Sequence, residues 1–313
     1  MRDDVEITEV LAEVADIARP QASDGRVADY IPALASADPG RFGLALTEMD
    51  GTEHTIGDVD EPFPIQSISK VFSLVLAMQK VDRAEGVAEE LWSRVGREPS
   101  GDPFNSLVQL EKERGIPRNP MINAGALVID DILITHCEDA KRSTLDLLET
   151  LAGEPLEIDQ EVYDSEQGAL HRNLAMANLL KDFGNLHHAV DAVLDNYVHA
   201  CAVSMTTRQL ARAMRFLANG GVEPATGEPI LSPELAKRVA AIMLTCGTYD
   251  AAGEFAFNVG LPCKSGVAGG IVGIVPRRMG LCVWSPPLDA SGNSLAGRIA
   301  LHELAERLDL SIV

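Results

Sequence analysis

Ser67 and Lys70 stand three residues apart at the head of SISKVFSLVLAMQKV, a stretch that is apolar nearly all round after the lysine. On a helix that spacing puts hydroxyl and amine on the same face. A serine becomes a nucleophile when a base takes its proton. A lysine kept among apolar side chains loses its own proton more easily than in water, and a helix N-terminus favours the negative charge that develops. Ser69 is adjacent to Lys70 and points elsewhere, and Ser73 sits a turn deeper. Alone, Ser-x-x-Lys is a weak signal, because a polar cap followed by a solvated lysine has the same letters. A second element supports it: Lys264-Ser265-Gly266, followed by Val267-Ala268-Gly269-Gly270. On a strand beside the nucleophile this segment can offer a backbone N–H that joins the N–H of the serine in holding a tetrahedral oxyanion, and its glycines let the strand come close. The two elements together specify serine acyl transfer.

Other chemistry fails on inspection. His302-Glu303 begins a zinc-helix pattern, but Glu306 occupies the place of the second histidine. Gly-x-Ser-x-Gly is absent, and no glycine run has nucleotide-binding spacing. His187, His188 and His199 lie on a helical stretch without carboxylate or cysteine partners at ligand spacing, which reads as structural or solvent-facing. Cysteines 137, 201, 246, 263 and 282 are odd in number and contain no Cys-x-x-Cys pair, so neither a disulfide framework nor a zinc clamp is indicated. No metal and no organic cofactor is called for.

Twenty-six Lys and Arg against 47 Asp and Glu leave a net charge of −21 on 313 residues, a surface that repels phosphate backbones. The nearest basic stripe, Arg277-Arg278, is two residues long, so nucleic-acid binding is set aside. No run of about 18 apolar residues marks a membrane span. MRDDVEITEV lacks the apolar core of a signal peptide, which makes the cytoplasm the default compartment.

The elements that must position the serine follow from periodicity. An N-terminal helix over roughly 5–18 carries Val5, Val10, Leu11, Val14 and Ile17 broadly on one face. Strands at 42–49 and 53–57 join through Asp50-Gly51, a hairpin turn. The stretch from Ser67 to Val81 reads as a central buried helix. Residues 120–246 are mainly helical, with one helix starting at Thr206 or Thr207 and stopping at Gly220-Gly221, and another opening with Ser232-Pro233 and ending near Gly247. EFAFNVG (254–260), the Gly-rich segment through Val275, and MGLCVWS (279–285) read as three successive strands before a last helix over 294–308. This order predicts an α+β fold in one domain: an antiparallel sheet flanked by helices, its sheet lobe drawn from about 1–66 and 247–313, with a mostly helical lobe inserted over about 67–246. A cleft between lobes is the usual place for a small-molecule site.

FPIQSISKVF, RNPMINAGAL, SEQGALHRN, TCGTYDAAGEFAFNVGLPCKSGVAGG and WSPPLDASGNS, in that order, resemble the blocks of the serine-dependent glutaminases, which share the fold of serine β-lactamases and penicillin-binding transpeptidases. The resemblance runs from about Ile7 to the C-terminus. It implies hydrolysis of L-glutamine to L-glutamate and ammonia, with Ser67 as nucleophile, Lys70 as general base and Tyr249 and Tyr30 in proton relay. It also implies that the N–H groups of Ser67 and Val267 hold the oxyanion. For the amino-acid head of the substrate it points to Asn123, Glu166, Asn173 and Tyr197, with Gln66 and Lys264 beside them. Chemically, Glu166 can neutralise an α-ammonium while the amides and Tyr197 meet the carboxylate. The tyrosines fit a relay only if a neighbouring cation, Lys70 or Lys264, lowers their pKa. The Ser-Asp-Asn block of β-lactamases is missing, which weakens an antibiotic-hydrolase reading. A β-lactamase-like or peptidase-like hydrolase and a non-catalytic glutamine sensor are the alternatives. Soluble enzymes of this kind commonly form symmetric homo-oligomers, so a dimer or tetramer is expected.

Overall fold

A computed structural model describes residues 4–83 and 87–313, with side chains from Ile7 to Lys80 and from Ala88 onward. The Val5 and Val81 side chains lie outside these described parts. Five antiparallel strands form the main sheet: β1 (Gly43–Glu48), β2 (Glu53–Gly57), β6 (Cys263–Ser265), β7 (Gly270–Val275) and β8 (Met279–Trp284), ordered β2-β1-β8-β7-β6. Both chain ends therefore contribute strands, as the order of elements predicts. Gly51 makes the β1–β2 turn at φ +95°, a conformation open to glycine at little steric cost.

Alternation along these strands divides the core in two. Leu44, Leu46, Ile271, Leu281 and Val283 face the helices Asp4–Ala18 and Leu295–Leu308. Ala45, Val272, Ile274, Cys282 and Trp284 face the other way, into one continuous apolar cluster with the helical residues from 68 to 246. The helix Ser69–Arg83 runs through that cluster, and Val71, Phe72, Leu74, Val75, Ala77 and Met78 are all at 0% exposure. A helix apolar on every side can be stable only there. A second, small sheet joins β3 (Pro62–Pro64), β5 (Val203–Thr206) and β4 (Glu157–Ile158) in the order β3-β5-β4. It ties the residues before Ser67 to the helical segment, and Ile65 N–H donates to the Val203 carbonyl at 2.9 Å.

Three sequence expectations are corrected. The segment 254–260 is not a strand but the end of a helix, Ala252–Asn258, and the turn after it. Phe255 and Phe257 suggested alternation, yet the buried set is Ala252, Phe255 and Val259, spaced by three and four, while Phe257 is 89% exposed. The Gly-rich segment is two strands, β6 and β7, because Gly269 at φ +95° turns the chain between them. On the first helix the buried face is Ile7, Leu11, Val14 and Ala18, with Ile17 37% exposed.

The remaining helical signals coincide with the structure. Thr206 caps Thr207–Ala213 with a capping box to Gln209, and after Met214 a short turn ends before Gly220 and Gly221, both at positive φ. Ser232 caps Pro233–Cys246, whose C-cap is Gly247. Ser294 caps the last helix. Among the described residues no helix is long and apolar enough to cross a membrane.

Candidate active site

Ser67 sits in a single 3-10 turn, Gln66–Ile68, that leads directly into the buried helix. Gln66 adopts φ +48°, an unfavourable conformation for a residue with a side chain. It persists because Ile65 is tied to β5 and Ile68 N–H closes the turn onto the Ile65 carbonyl at 3.0 Å. The β6–β7 turn comes hard against this one: a Cβ on Gly266 would lie 2.7 Å from the Ile65 carbonyl oxygen. Only a residue without a side chain permits that approach, which sets the β6–β7 turn that carries Val267 against the turn that carries Ser67. Ser67 and Val267 are both buried.

Two lysines come from different elements, a helix and a strand. Lys70 is buried on the helix and donates from Nζ to Asn123 Oδ1 at 2.6 Å, and Asn123 Nδ2 donates to Asn173 Oδ1 at 3.0 Å. Burial brings the Lys70 amine down to about 8, against the opposing pull of Cys201, Glu166 and Asp130. Its Nζ lies 5.7 Å from the centre of the Tyr197 ring. Lys264, on β6 and fully buried, has its pKa lowered well below the ordinary lysine value by burial and by Lys70. Its Nζ donates to the Ser265 carbonyl at 2.5 Å and stands 4.4 Å from the centre of the Tyr249 ring.

Tyr249 occupies a left-handed position, φ +59°, and its hydroxyl donates to the same Ser265 carbonyl at 3.0 Å. The Ser67 hydroxyl faces the Tyr249 oxygen and pulls its pKa down, but burial outweighs that pull and raises it. Tyr30 is raised as well, by burial and by Tyr249 and Glu166, although 55% of the residue remains accessible. The expectation that Lys70 or Lys264 lowers the tyrosines is therefore corrected. Desolvation disfavours the charged form of either type of group, so lysine and tyrosine are both driven towards neutrality.

Glu166, on the helix Gln160–Gly168, accepts from Gln66 Nε2 at 3.1 Å. Burial lifts its carboxyl to about 7, while Gln66 and Lys70 pull it back. Tyr197 closes this side from the helix Val190–Cys201. Contacts join these residues in short sets: Lys70 with Asn123 and the Tyr197 ring, Asn123 with Asn173, Gln66 with Glu166, and Tyr249 with Ser67 and Lys264. Asn173 is half-buried and Tyr30 exposed. A groove of about 330 Å3, lined by Ala28, Leu34, Phe63, Val162 and Trp284 among others, runs up to Val267.

Several neighbours were not anticipated. Asp130 is buried behind Lys70, takes a hydrogen bond from Asn196 Nδ2 at 2.9 Å and is raised to about 8 by burial. Its neighbour Asp131 is also buried. Asp131 binds Arg94 at 2.5 Å and His188 Nδ1 at 2.9 Å. The histidines at 187 and 188 thus have a carboxylate partner and lie in a loop, a correction to the sequence reading. All five cysteines are free thiols. Among the described residues no group of His, Cys, Asp and Glu gathers as a metal site.

An antiparallel sheet faced by helices, with Lys264 on β6 and Ser67 and Lys70 at the head of the buried helix, places the protein in the β-lactamase-like fold class. Comparison with known proteins narrows the class. The Glutaminase family profile matches residues 25–313. A glutaminase of Mesorhizobium japonicum is 53% identical over 98% of this chain and 96% of its own, and one of a Methylobacterium species is 52% identical over 98% of both. A solved probable glutaminase superposes with a TM-score of 0.92 at 34% identity, covering 99% of each chain. A probable glutaminase from Bacillus subtilis, solved with 6-diazo-5-oxo-L-norleucine, gives 0.85 at 35% identity over 96% of this chain and 94% of that one. The chain belongs to the glutaminase family.

Proposed function

We propose that this glutaminase hydrolyses the side-chain amide of L-glutamine through an ester on Ser67. The observation that carries the reading is the Ser67 hydroxyl facing Tyr249, with Lys70 buried three residues further on, its amine lowered by burial, and the Gln66–Glu166 pair beside them. Neutral Lys70 takes the Ser67 proton as Oγ attacks the amide carbon, and the N–H groups of Ser67 and Val267 receive the oxyanion. That proton passes to the departing nitrogen through Tyr249, with Tyr30 as second hydroxyl, and ammonia leaves. Water then gives a proton to Lys70, attacks the ester and releases glutamate, and Ser67 recovers its hydrogen. With their pKa raised, neither tyrosine serves as a separately ionised base; each relays by accepting one proton as it gives up another, which replaces the requirement of a lowered pKa.

Ionised Glu166 pairs with the α-ammonium, and Asn123, Asn173, Tyr197 and Gln66 frame the amino-acid head. The Bacillus subtilis relative was solved with 6-diazo-5-oxo-L-norleucine, which carries the same amino-acid head as glutamine. Ser67→Ala is expected to abolish ammonia release while glutamine binding stays measurable by calorimetry; substantial remaining turnover would remove the nucleophile assignment. Glu166→Gln is expected to raise KM by about ten- to a hundredfold with a smaller change in kcat, since it removes a charge pair to the ground-state head group. An unchanged KM would place the ammonium elsewhere.

A further inference from the structure

Asn293, assigned no role by the sequence, links the two segments that carry Lys264 and Tyr249. It is at 0% exposure, as is Ser265, and Thr248 is at 2%. Its Oδ1 accepts from the Ser265 hydroxyl at 2.5 Å, and its Nδ2 donates to the Thr248 carbonyl at 3.3 Å. A carbonyl can only accept, so the Thr248 contact fixes which end of the amide faces which partner. The Ser265 hydroxyl must then donate to Oδ1.

Each of these bonds acts on a reacting group. The Thr248 carbonyl belongs to the peptide that leads into Tyr249, the residue held at φ +59°. Such a conformation persists only where its surroundings over-determine it. Ser265 owns the carbonyl on which the Tyr249 hydroxyl and Lys264 Nζ converge. Asn293 is itself held: its N–H donates to Asp289 Oδ1 at 3.1 Å, Asp289 N–H donates to the Asn293 carbonyl at 2.8 Å, and Ser294 Oγ donates to the Ser285 carbonyl at 2.7 Å. The glycine before it, at φ +85°, lies within 3.8 Å of the Tyr249 ring where a Cβ would stand.

We infer that Asn293 is a positioning residue, a rigid brace that sets the Tyr249 hydroxyl against Ser67 by holding the Ser265 hydroxyl and the Thr248 carbonyl together. The inference rests on the proposed part of Tyr249 in catalysis. Glu166, Asn123, Asn173 and Tyr197 reach the site from other helices, so the brace acts mainly on turnover and touches the head group only through Lys264.

Steady-state kinetics of Asn293→Ala, Asn293→Asp, Ser265→Ala and Ser265→Thr, each with a thermal melt, provide the test. The aspartate sets an oxygen against the Thr248 carbonyl without changing size. Expected is a kcat lower by about tenfold or more in the first three with KM within about threefold, and substantial recovery in Ser265→Thr, which keeps the hydroxyl. Combining Asn293→Ala with Tyr249→Phe distinguishes the two claims. If the brace works through Tyr249, the double variant is little slower than Tyr249→Phe alone. Additive losses, a KM effect in place of a kcat effect, or unchanged kcat in folded Asn293→Asp and Ser265→Ala would overturn the inference. Full activity of Tyr249→Phe by itself would instead overturn the reading on which it rests.

Discussion

At the scale of single residues the site is governed by desolvation. Lys70 and Glu166 are both buried, and burial moves them in opposite directions, one down to about 8 and the other up to about 7. The sign of the pH dependence follows. The lysine is a base only when neutral, above its pKa, and the carboxylate attracts an ammonium only when ionised, also above its pKa. Both requirements fail in acid, so log kcat/KM, which reports the free enzyme, is expected to rise steeply below pH 7, more gently to 8 and then level. Tyr249, raised by burial, adds no limb in that range. A profile flat from about pH 6 to about 9 would show that neither group titrates in the rate-limiting sequence. The identities of these residues were legible in short motifs and blocks. Their ionisation was not, since it depends on how much protein surrounds each group.

Turns carry the decisive geometry at the scale of elements. Ser67, Val267 and Tyr249 all lie on or beside tight turns at element ends: the 3-10 turn before the buried helix, the β6–β7 turn, and the 3-10 turn Tyr249–Ala251. Gly266 sets the distance between the first two, with a hypothetical Cβ 2.7 Å from a backbone oxygen. Gly266→Ala is therefore expected to push Val267 from Ser67 and lower kcat by about ten- to a hundredfold, with a small change in KM. Unchanged kcat would mean that Val267 N–H does not face the oxyanion. Capping signals located helix ends well, as at Thr206, Ser232 and Ser294, because a cap is a local bond between near neighbours. Phe255 and Phe257 misled because two residues two apart fit a strand, and only packing against Ala252 and Val259 reveals the helical face.

For the molecule as a whole, an excess of 21 negative charges acts against compactness. Screening shortens the reach of that repulsion, since the Debye length falls from about 10 Å at 0.1 M salt to about 3 Å at 1 M. The thermal midpoint is accordingly expected to be a few degrees higher at about 1 M than at about 0.1 M sodium chloride. A lower midpoint would mean that specific ion pairs, such as Arg208 with Glu53 and Asp60, outweigh the net repulsion. By itself the sequence determined the sheet drawn from both chain ends and the buried helix behind Ser67, because periodicity, caps and turn residues are local properties. Tertiary structure alone decided that Asp130 and Asp131 are buried, that the tyrosines remain protonated and that Asn293 braces Tyr249. Those depend on contacts between residues far apart in the chain, Asn196 with Asp130 and Asn293 with Ser265 and Thr248, and on the water that folding removes from around them.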